Sequence, residues 1–316
     1  MIVNILLLAL GFVTLIKGAD WLVSGASALA KRYNVSNLVI GLTIVAFGTS
    51  APELVVNAIS SSKNLPDLVF GNIIGSNNFN IFVILGIAGL ITPLTVQSST
   101  VWKEIPISFL AILLFYLLAN NFFDSTSPIL SRIDGVILLV FFGLFILYVY
   151  KQLKSQYALA EKTSYSSAKM WGLITLGLCG LVIGGQLVVG NATSLAKLLG
   201  ISQKIIGLTI VAFGTSLPEL ATSVVAAFKK NNDIAVGNII GSNIFNIALI
   251  LGISSIIRPM EFSSTFTFDV ILLTFGTLIL FVSMFTGRKK KLDRWEAATL
   301  LLIFAVYTVY LVGKEL

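Results

Sequence analysis

The chain carries one sequence pattern twice, at a constant offset of 166 residues. Residues 41–54 and 207–220 are identical at 13 of 14 positions, and residues 71–81 and 237–247 at 10 of 11. The 16 positions between the two blocks of the first copy, 55–70, agree with the second copy at only 2 positions. This pattern indicates a duplicated unit that has kept two short polar blocks while their surroundings changed, so both halves of the fold must be built alike.

Apolar segments follow one another along the whole chain. Of the 316 residues, 56% are hydrophobic and 11% are charged, whereas soluble domains carry about 25% charged residues. Apolar runs of about 17–25 residues are long enough to cross a bilayer as helices. We therefore predict an all-α polytopic membrane protein with ten transmembrane helices, at roughly 3–29, 37–61, 67–92, 103–120, 132–151, 170–196, 203–228, 234–258, 266–286 and 295–313.

The duplication divides these helices into two groups of five. We assign residues 1–151 to the first repeat, 152–169 to a linker and 170–316 to the second repeat. Because five is odd, the second repeat enters the membrane upside down, which predicts inverted repeats related by an axis in the membrane plane.

The basic residues predict an orientation. With both termini outside the cell, 14 lysines and arginines fall in cytoplasmic segments, including the linker, and six on the opposite face. This is the asymmetry that the positive-inside rule describes, and it also explains the net charge of +7 without nucleic-acid binding. Within the first apolar segment, Lys17 and Asp20 are spaced to form an ion pair on one helix face.

Each copy interrupts a span with a proline and a glutamate, in "VAFGTSAPEL" at 45–54 and "VAFGTSLPEL" at 211–220. Pro52 has no backbone N–H to donate to the preceding turn, and Gly48 loosens the backbone nearby. We predict that the span breaks between these two residues and at the corresponding place in the second copy. Backbone groups freed by such a break must be buried in protein or line a cavity, because lipid cannot satisfy them.

The second polar block, "GNIIGSNNFN", predicts another break, through Gly71 and Gly75. Glycine pairs of this kind also occur where helices pack closely, and a lone serine or threonine in a membrane helix most often bonds its own backbone. The glutamates are harder to explain structurally. An acid at the centre of a span costs on the order of 3 kcal/mol and usually marks an ion path.

The polar blocks supply oxygen ligands and no nitrogen or sulfur ligand. The candidates are Thr49, Ser50, Glu53, Ser76, Asn80, Thr215, Ser216, Glu219, Ser242 and Asn246, with backbone carbonyls freed around Ala46 and Ala212. Such hard ligands suit sodium, calcium or magnesium. Two facing glutamates carry a charge of −2, which one calcium ion neutralises.

The paired "GTS-x-PE" and "GNIIGSNxFN" motifs resemble the α-repeats of the cation/calcium exchanger superfamily, in particular its prokaryotic sodium/calcium exchanger branch. The resemblance covers nearly the whole chain. It implies a ten-helix fold with four central ion sites, an antiporter that works by alternating access at a midplane carboxylate site, and a first and a sixth helix that slide as a bundle. It also implies a protein of the prokaryotic cell membrane.

By motif position, the resemblance assigns residues to each ion. Calcium would be bound by Glu53, Glu219, Thr49 and Thr215. Sodium would be bound by Ala46, Ser50, Ser76, Ala212, Ser216 and Ser242, together with both glutamates. Asn80 and Asn246 would close a central polar cluster. Several relatives have an aspartate in place of Asn246, and potassium-dependent exchangers do so, which argues against potassium co-transport here.

Other functions remain open at this point. A calcium/proton antiporter is the nearest alternative, although such relatives often use histidine and this chain has none. A channel would need a continuous pore, whereas one midplane cluster between inverted repeats favours alternating access. An enzyme is not expected, because neither motif holds a histidine or lysine to activate a serine. We expect no cofactor, only transported calcium and sodium, and a monomer in the lipid bilayer.

Overall fold

A computed structural model describes residues 1–120, 128–155, 165–199, 212–287 and 289–315. These residues are helical apart from turns and four two-residue strands. The strands are β1 Leu94–Thr95, β2 Ile129–Leu130, β3 Met260–Glu261 and β4 Lys291–Leu292. The helices are α1 Ile2–Tyr33, α2 Asn37–Thr49, α3 Ala51–Ser62, α4 Pro66–Ile91, α5 Thr100–Ala119, α6 Arg132–Ser155, α7 Ser167–Leu198, α8 Ala212–Gly214, α9 Leu217–Phe228, α10 Asn232–Ile257, α11 Ser264–Ser283 and α12 Arg294–Glu315.

The helical membrane protein predicted from the apolar segments is confirmed. Within the described ranges, eight helices are long and apolar enough to cross a membrane, and α2 with α3 forms a bent ninth span. The predicted span 203–228 is described only from Ala212, where α8 and α9 follow each other; its residues 203–211 lie outside the described residues. The predicted linker 152–169 is likewise described only at its two ends, where α6 ends at Ser155 and α7 begins at Ser167.

The break predicted between Gly48 and Pro52 is confirmed. Helices α2 and α3 meet at an angle of 47°. Ser50 is the residue between them, with φ −85° and ψ 3°, and Pro52 lies in the first turn of α3. There the missing N–H of proline costs nothing, because the first amides of a helix have no partner within it. In the second copy, α8 ends at Gly214 and α9 begins at Leu217.

The second predicted break, through Gly71 and Gly75, is wrong. Helix α4 continues through both glycines, and α10 continues through the same block of the second copy. Glycine permits a break but keeps its N–H, so the helical hydrogen bonds can continue. The irregularity comes later, as π-helical turns at Phe79–Ile84 and Phe245–Ile250. Such turns are frequent at functional sites.

Helices α4 and α10 form the centre of the protein. Within the most apolar stretch of 18 residues in each helix, 78% of the residues of α4 and 83% of those of α10 are buried, against 22% in α1, α6 and α12. The strand pairs join the two halves: β1 pairs with β4 and β2 with β3, both antiparallel.

Helices α1 and α7 pack against each other through glycines. A Cβ atom on Gly177 would lie 2.6 Å from the backbone nitrogen of Leu22, and one on Gly18 would lie 2.8 Å from the carbonyl oxygen of Gly177. The two backbones therefore touch, as small residues allow between membrane helices.

The predicted ion pair between Lys17 and Asp20 is wrong. Asp20 Oδ1 lies 2.7 Å from Nζ of Lys229, which follows α9. The same ammonium group donates to the carbonyl oxygen of Asp20 at 3.0 Å and to the hydroxyl of Ser24 at 2.7 Å. Three acceptors on α1 thus converge on one lysine, an arrangement that tertiary packing creates and helical spacing does not.

Candidate ion-binding site

Two glutamates are buried where the bent helices restart. Glu53 lies in the first turn of α3 and Glu219 in the first turn of α9. Their side chains are 0% and 1% exposed. The unpaired amides at a helix N-terminus favour a negative charge, which reduces the cost of burying each carboxylate.

Each carboxylate is bound by a serine of the other copy. Ser50 donates to Glu219 Oε1 at 3.0 Å, and Ser216 to Glu53 Oε1 at 3.5 Å. Both serines are N-cap residues, a position where the hydroxyl normally accepts a bond from its own helix, yet neither side chain caps its helix. Ser242 adds a bond to Glu219 Oε1 at 3.4 Å and lies 3.0 Å from Ser50 Oγ. The two broken helices therefore form one site.

The threonines of the two motifs bond to asparagines on the central helices. Thr49 Oγ1 donates to Asn238 Oδ1 at 3.0 Å, and Asn72 Nδ2 donates to Thr215 Oγ1 at 3.0 Å. Asn72 in turn accepts from Asn57, at 2.8 Å. These bonds tie the bend of each span to α10 and α4 respectively.

Four asparagines, which we call the asparagine quartet, join α4 to α10: Asn77, Asn80, Asn243 and Asn246. Asn77 and Asn243 each donate to the other's backbone carbonyl, at 3.3 and 3.4 Å. Asn80 donates to Asn243 Oδ1 and Asn246 donates to Asn77 Oδ1, both at 2.9 Å. All four side chains are at most 1% exposed.

Within the described part of the chain, several buried oxygens of the candidate ligands have no hydrogen-bond partner: Glu53 Oε2, Glu219 Oε2, Ser76 Oγ, Asn80 Oδ1 and Asn246 Oδ1. Buried polar atoms are ordinarily satisfied, since leaving one unpaired costs about 1–3 kcal/mol. Carboxylate, amide and hydroxyl oxygens are the ligands of hard cations, and calcium takes about 6–8 of them. The set therefore fits sodium or calcium as cargo.

The two predicted alanine positions differ in what the structure shows. The Ala46 carbonyl accepts the backbone amide of Ser50 at 3.0 Å, so the expectation of a freed carbonyl there is wrong. The Thr49 hydroxyl, which donates to Asn238, lies 3.3 Å from the same carbonyl. The carbonyl that loses its partner through Pro52 is that of Gly48, because a residue with an N–H at position 52 would donate to the carbonyl four residues earlier. Ala212 begins α8, and its side chain lies outside the described part of the chain.

Most contacts of the site occur in exchanged pairs, an exception being the Ser242–Glu219 bond, whose counterpart at Ser76 and Glu53 does not form. Residues 166 apart occupy equivalent places in the two copies. Glu53 is therefore equivalent to Glu219 and Ser216 to Ser50, so the Ser50–Glu219 bond is the counterpart of the Ser216–Glu53 bond. The same exchange relates the two threonine–asparagine contacts and the bonds within the asparagine quartet. The two copies thus contribute equivalent sides of the site, which we call its two walls.

A cavity of about 350 Å³, which we call the α7 cavity, lies against residues of both bends, and of the two motif threonines it is lined by Thr215. It is lined by Pro52, Val56, Val182, Gly185, Gln186, Val189, Gly190, Gly214, Thr215 and Pro218. Thr215 is half-buried at this cavity, and Asn72, which bonds it, is also half-buried, whereas their equivalents Thr49 and Asn238 are fully buried.

The structure adds polar residues that the motif reasoning did not assign. Asn72, Asn77, Asn238 and Asn243 lie inside the repeated block, so their identity in both copies could have indicated them. Asn57, which also donates to the Glu53 carbonyl at 2.7 Å, lies in the diverged segment and gave no such signal.

Comparisons with known proteins agree over almost the whole chain. Residues 3–151 and 169–313 match the family described as sodium/calcium exchanger protein. The chain is 35% identical to the sodium/calcium exchanger MaX1 of Methanosarcina acetivorans over 98% of both proteins, and 38% identical to the inner membrane protein YrbG of Escherichia coli over 81% of this chain and 80% of that protein. The solved structure of the sodium-calcium exchanger NCX_Mj, soaked with zero Na⁺ and Ca²⁺, matches with a TM-score of 0.84 and 33% identity, over 98% of this chain and 99% of that one.

Proposed function

Because the chain belongs to the sodium/calcium exchanger family, we propose that it is an antiporter that exchanges sodium for calcium at the site formed by the two broken helices. One observation carries the proposal. Glu53 and Glu219 are both buried, and each keeps one carboxylate oxygen free of hydrogen bonds while a serine of the other copy binds its second oxygen.

We assign the ligands by motif position and by the contacts of the site. Calcium binds between the two carboxylates, with Thr49 and Thr215 beside it. Sodium ions use the same carboxylates with Ala212 and the serines around them: Ser50, Ser76, Ser216 and Ser242. Asn80 and Asn246 complete the set with amide oxygens. The unpartnered oxygens of Ser76 and of these two asparagines support the assignment.

Charge explains why the two ions would exchange. Without a cation the site buries a charge of −2, which is costly in a low-dielectric interior. One calcium ion, or sodium ions in sufficient number, removes that cost. Moving the site across the membrane without cargo is therefore suppressed. If three sodium ions enter for each calcium, a tenfold sodium gradient and 100 mV supply roughly 6.5 kcal/mol, enough to extrude calcium.

Alternating access needs two halves of equivalent structure that adopt different states. The exchanged contacts support two repeats related by a two-fold axis, and an odd number of helices in each repeat, five, would make these ten helices a pair of inverted repeats. The difference between Thr215, half-buried at the α7 cavity, and the fully buried Thr49 supports a state open to one side. The basic-residue asymmetry supports an orientation with both termini outside a prokaryotic cell membrane.

The test is calcium uptake into proteoliposomes loaded with sodium. Uptake by the wild-type protein should require the outward sodium gradient and should be lost in Glu53→Gln and in Glu219→Gln. The matched control is Glu104→Gln, because Glu104 is equally buried but bonds Tyr148 and Gln152 on α6. We expect the control to retain uptake.

Two outcomes would contradict the proposal. Uptake driven by a proton gradient without sodium would identify a calcium/proton antiporter. Uptake that persists in both glutamate variants would place calcium binding elsewhere.

A further inference from the structure

We propose that Asn77 and Asn243 are positioning residues that turn the amide oxygens of Asn80 and Asn246 toward the transported cations. The inference rests on the proposed function and assigns a role to two residues that do not themselves face the ion as ligands. It is carried by the hydrogen bonds of the asparagine quartet.

The first step concerns the orientation of Asn77 and Asn243. An asparagine side chain has an amino end that only donates and a carbonyl end that only accepts. Asn243 Nδ2 donates to the backbone carbonyl of Asn77, and Asn77 Nδ2 donates to the backbone carbonyl of Asn243. A backbone carbonyl can only accept, so neither side chain can rotate by 180° without placing oxygen against oxygen. The backbone of the two central helices thus determines how both amides point.

The second step passes this orientation to their neighbours. Since the amino end of Asn243 is committed to the backbone, its Oδ1 must accept a bond, and Asn80 Nδ2 supplies it at 2.9 Å. By the same logic Asn77 Oδ1 accepts from Asn246 Nδ2, also at 2.9 Å. Asn80 and Asn246 therefore turn their amino ends into the quartet.

The third step is the consequence for the ion site. Asn80 Oδ1 and Asn246 Oδ1 have no hydrogen-bond partner among the described residues, and both residues are 1% exposed. An amino end at these positions would repel a cation, whereas the oxygen attracts one. An asparagine needs such orientation because only one of its ends can bind a cation, while a carboxylate presents oxygen in either rotation. The quartet thus makes two neutral side chains dependable cation ligands.

The experiment measures calcium binding and thermal unfolding of the purified full-length protein, with and without calcium. Asn77→Ala frees Asn246 to rotate and should weaken calcium binding by about tenfold or more, the scale of one hydrogen-bond contact to a charged group. Asn246→Ala should have a similar effect. The double variant should bind no more weakly than either single variant, because Asn77 acts through Asn246.

A matched control separates positioning from folding. Asn78→Ala removes a buried amide next along α4 that donates to the Asp269 carbonyl at 3.0 Å, away from the quartet, and the second copy has Ile244 at this place. A purely structural substitution lowers the unfolding temperature but preserves the increase that calcium produces, since that increase depends on affinity alone. We expect Asn78→Ala to behave in this way and Asn77→Ala to lose most of the increase.

Rescue provides an independent readout. In the Asn77→Ala background, Asn246→Asp should restore calcium affinity, because either rotation of the carboxylate offers oxygen. In the wild-type background Asn246→Asp places a carboxylate oxygen against Asn77 Oδ1, so calcium affinity should increase less there. Equal gains in the two backgrounds, or an Asn77→Ala variant that binds calcium as tightly as wild type, would overturn the inference. If wild type itself binds neither calcium nor sodium, the proposed function fails instead.

Discussion

The contact between α1 and α7 makes a prediction about two alanine substitutions on one helix. Gly177→Ala places a Cβ atom 2.6 Å from the backbone nitrogen of Leu22 and 2.8 Å from the carbonyl oxygen of Gly18. Gly172→Ala, on the same helix, places it where nothing lies within 4 Å. The chemical change is identical, so any difference between the variants reports the packing of the two backbones.

The magnitude follows from these distances. Ordinary contacts of a Cβ atom begin near 3.4 Å, so the helices would have to separate locally by about 0.8 Å, and overpacking of this kind costs about 1–3 kcal/mol. Gly172→Ala should instead stabilise its helix by about 0.5–1 kcal/mol, because alanine loses less backbone entropy than glycine. Because Gly177→Ala gains the same helix propensity, that gain cancels in the comparison, and the two variants should differ by the overpacking cost of about 1–3 kcal/mol, with Gly177→Ala the less stable.

Thermal unfolding in detergent, followed by size-exclusion chromatography of heated samples, measures this difference. At about 2.1 cal/mol/K of unfolding entropy per residue, 1 kcal/mol corresponds to about 1.5 °C for a chain of this length, so we expect Gly177→Ala to unfold at least about 1.5 °C below Gly172→Ala. Gly177→Ala with an unfolding temperature equal to or above that of Gly172→Ala would show that the backbones do not touch, and would refute the reasoning.

Two further predictions concern the ion site. Glu53→Gln should reduce the affinity for calcium about a thousandfold more than the affinity for a single sodium ion. Removing a unit charge at about 4 Å costs about 4 kcal/mol against a monovalent ion, and twice that against a divalent ion, at an effective dielectric of about 20. Isothermal titration of each ion measures the two affinities, and equal losses would contradict the prediction. In a Cys179→Ala background, which removes the exposed native thiol, Thr215→Cys at the α7 cavity should react with a charged methanethiosulfonate at least about ten times faster than Thr49→Cys, since thiol reactivity follows exposure. Mass spectrometry measures the rates, and comparable rates would show that both walls are equally accessible.

Features that depend on local chemistry were predictable from the sequence. The bend at Pro52 follows from its missing N–H, and the membrane helices follow from the length of the apolar runs. The two glutamates were identified as site residues because an acid within a span is costly and this one occurs twice. The structure buries both in one cluster, as that reasoning requires.

Features that depend on contacts between distant residues were not predictable. Glycine allows a helix to break without requiring it, so the course of α4 through Gly71 and Gly75 depended on packing. The partner of Asp20 is Lys229, on a segment 209 residues away. Likewise, no property of a single asparagine reveals which end of its amide faces an ion; the backbone carbonyls across the α4–α10 contact decide it.

The duplicated motif shows most clearly what the sequence determines and what only the tertiary structure decides. By itself the sequence determined that two equivalent polar walls exist, each with a threonine, a serine and a glutamate at the same spacing. It could not determine how the walls differ, because Thr49 and Thr215 stand in identical local sequences. Only the tertiary structure made one of them fully buried and left the other half-buried at a cavity against α7. Identical segments have identical local preferences, so an asymmetry between them can come only from how the rest of the chain packs around each.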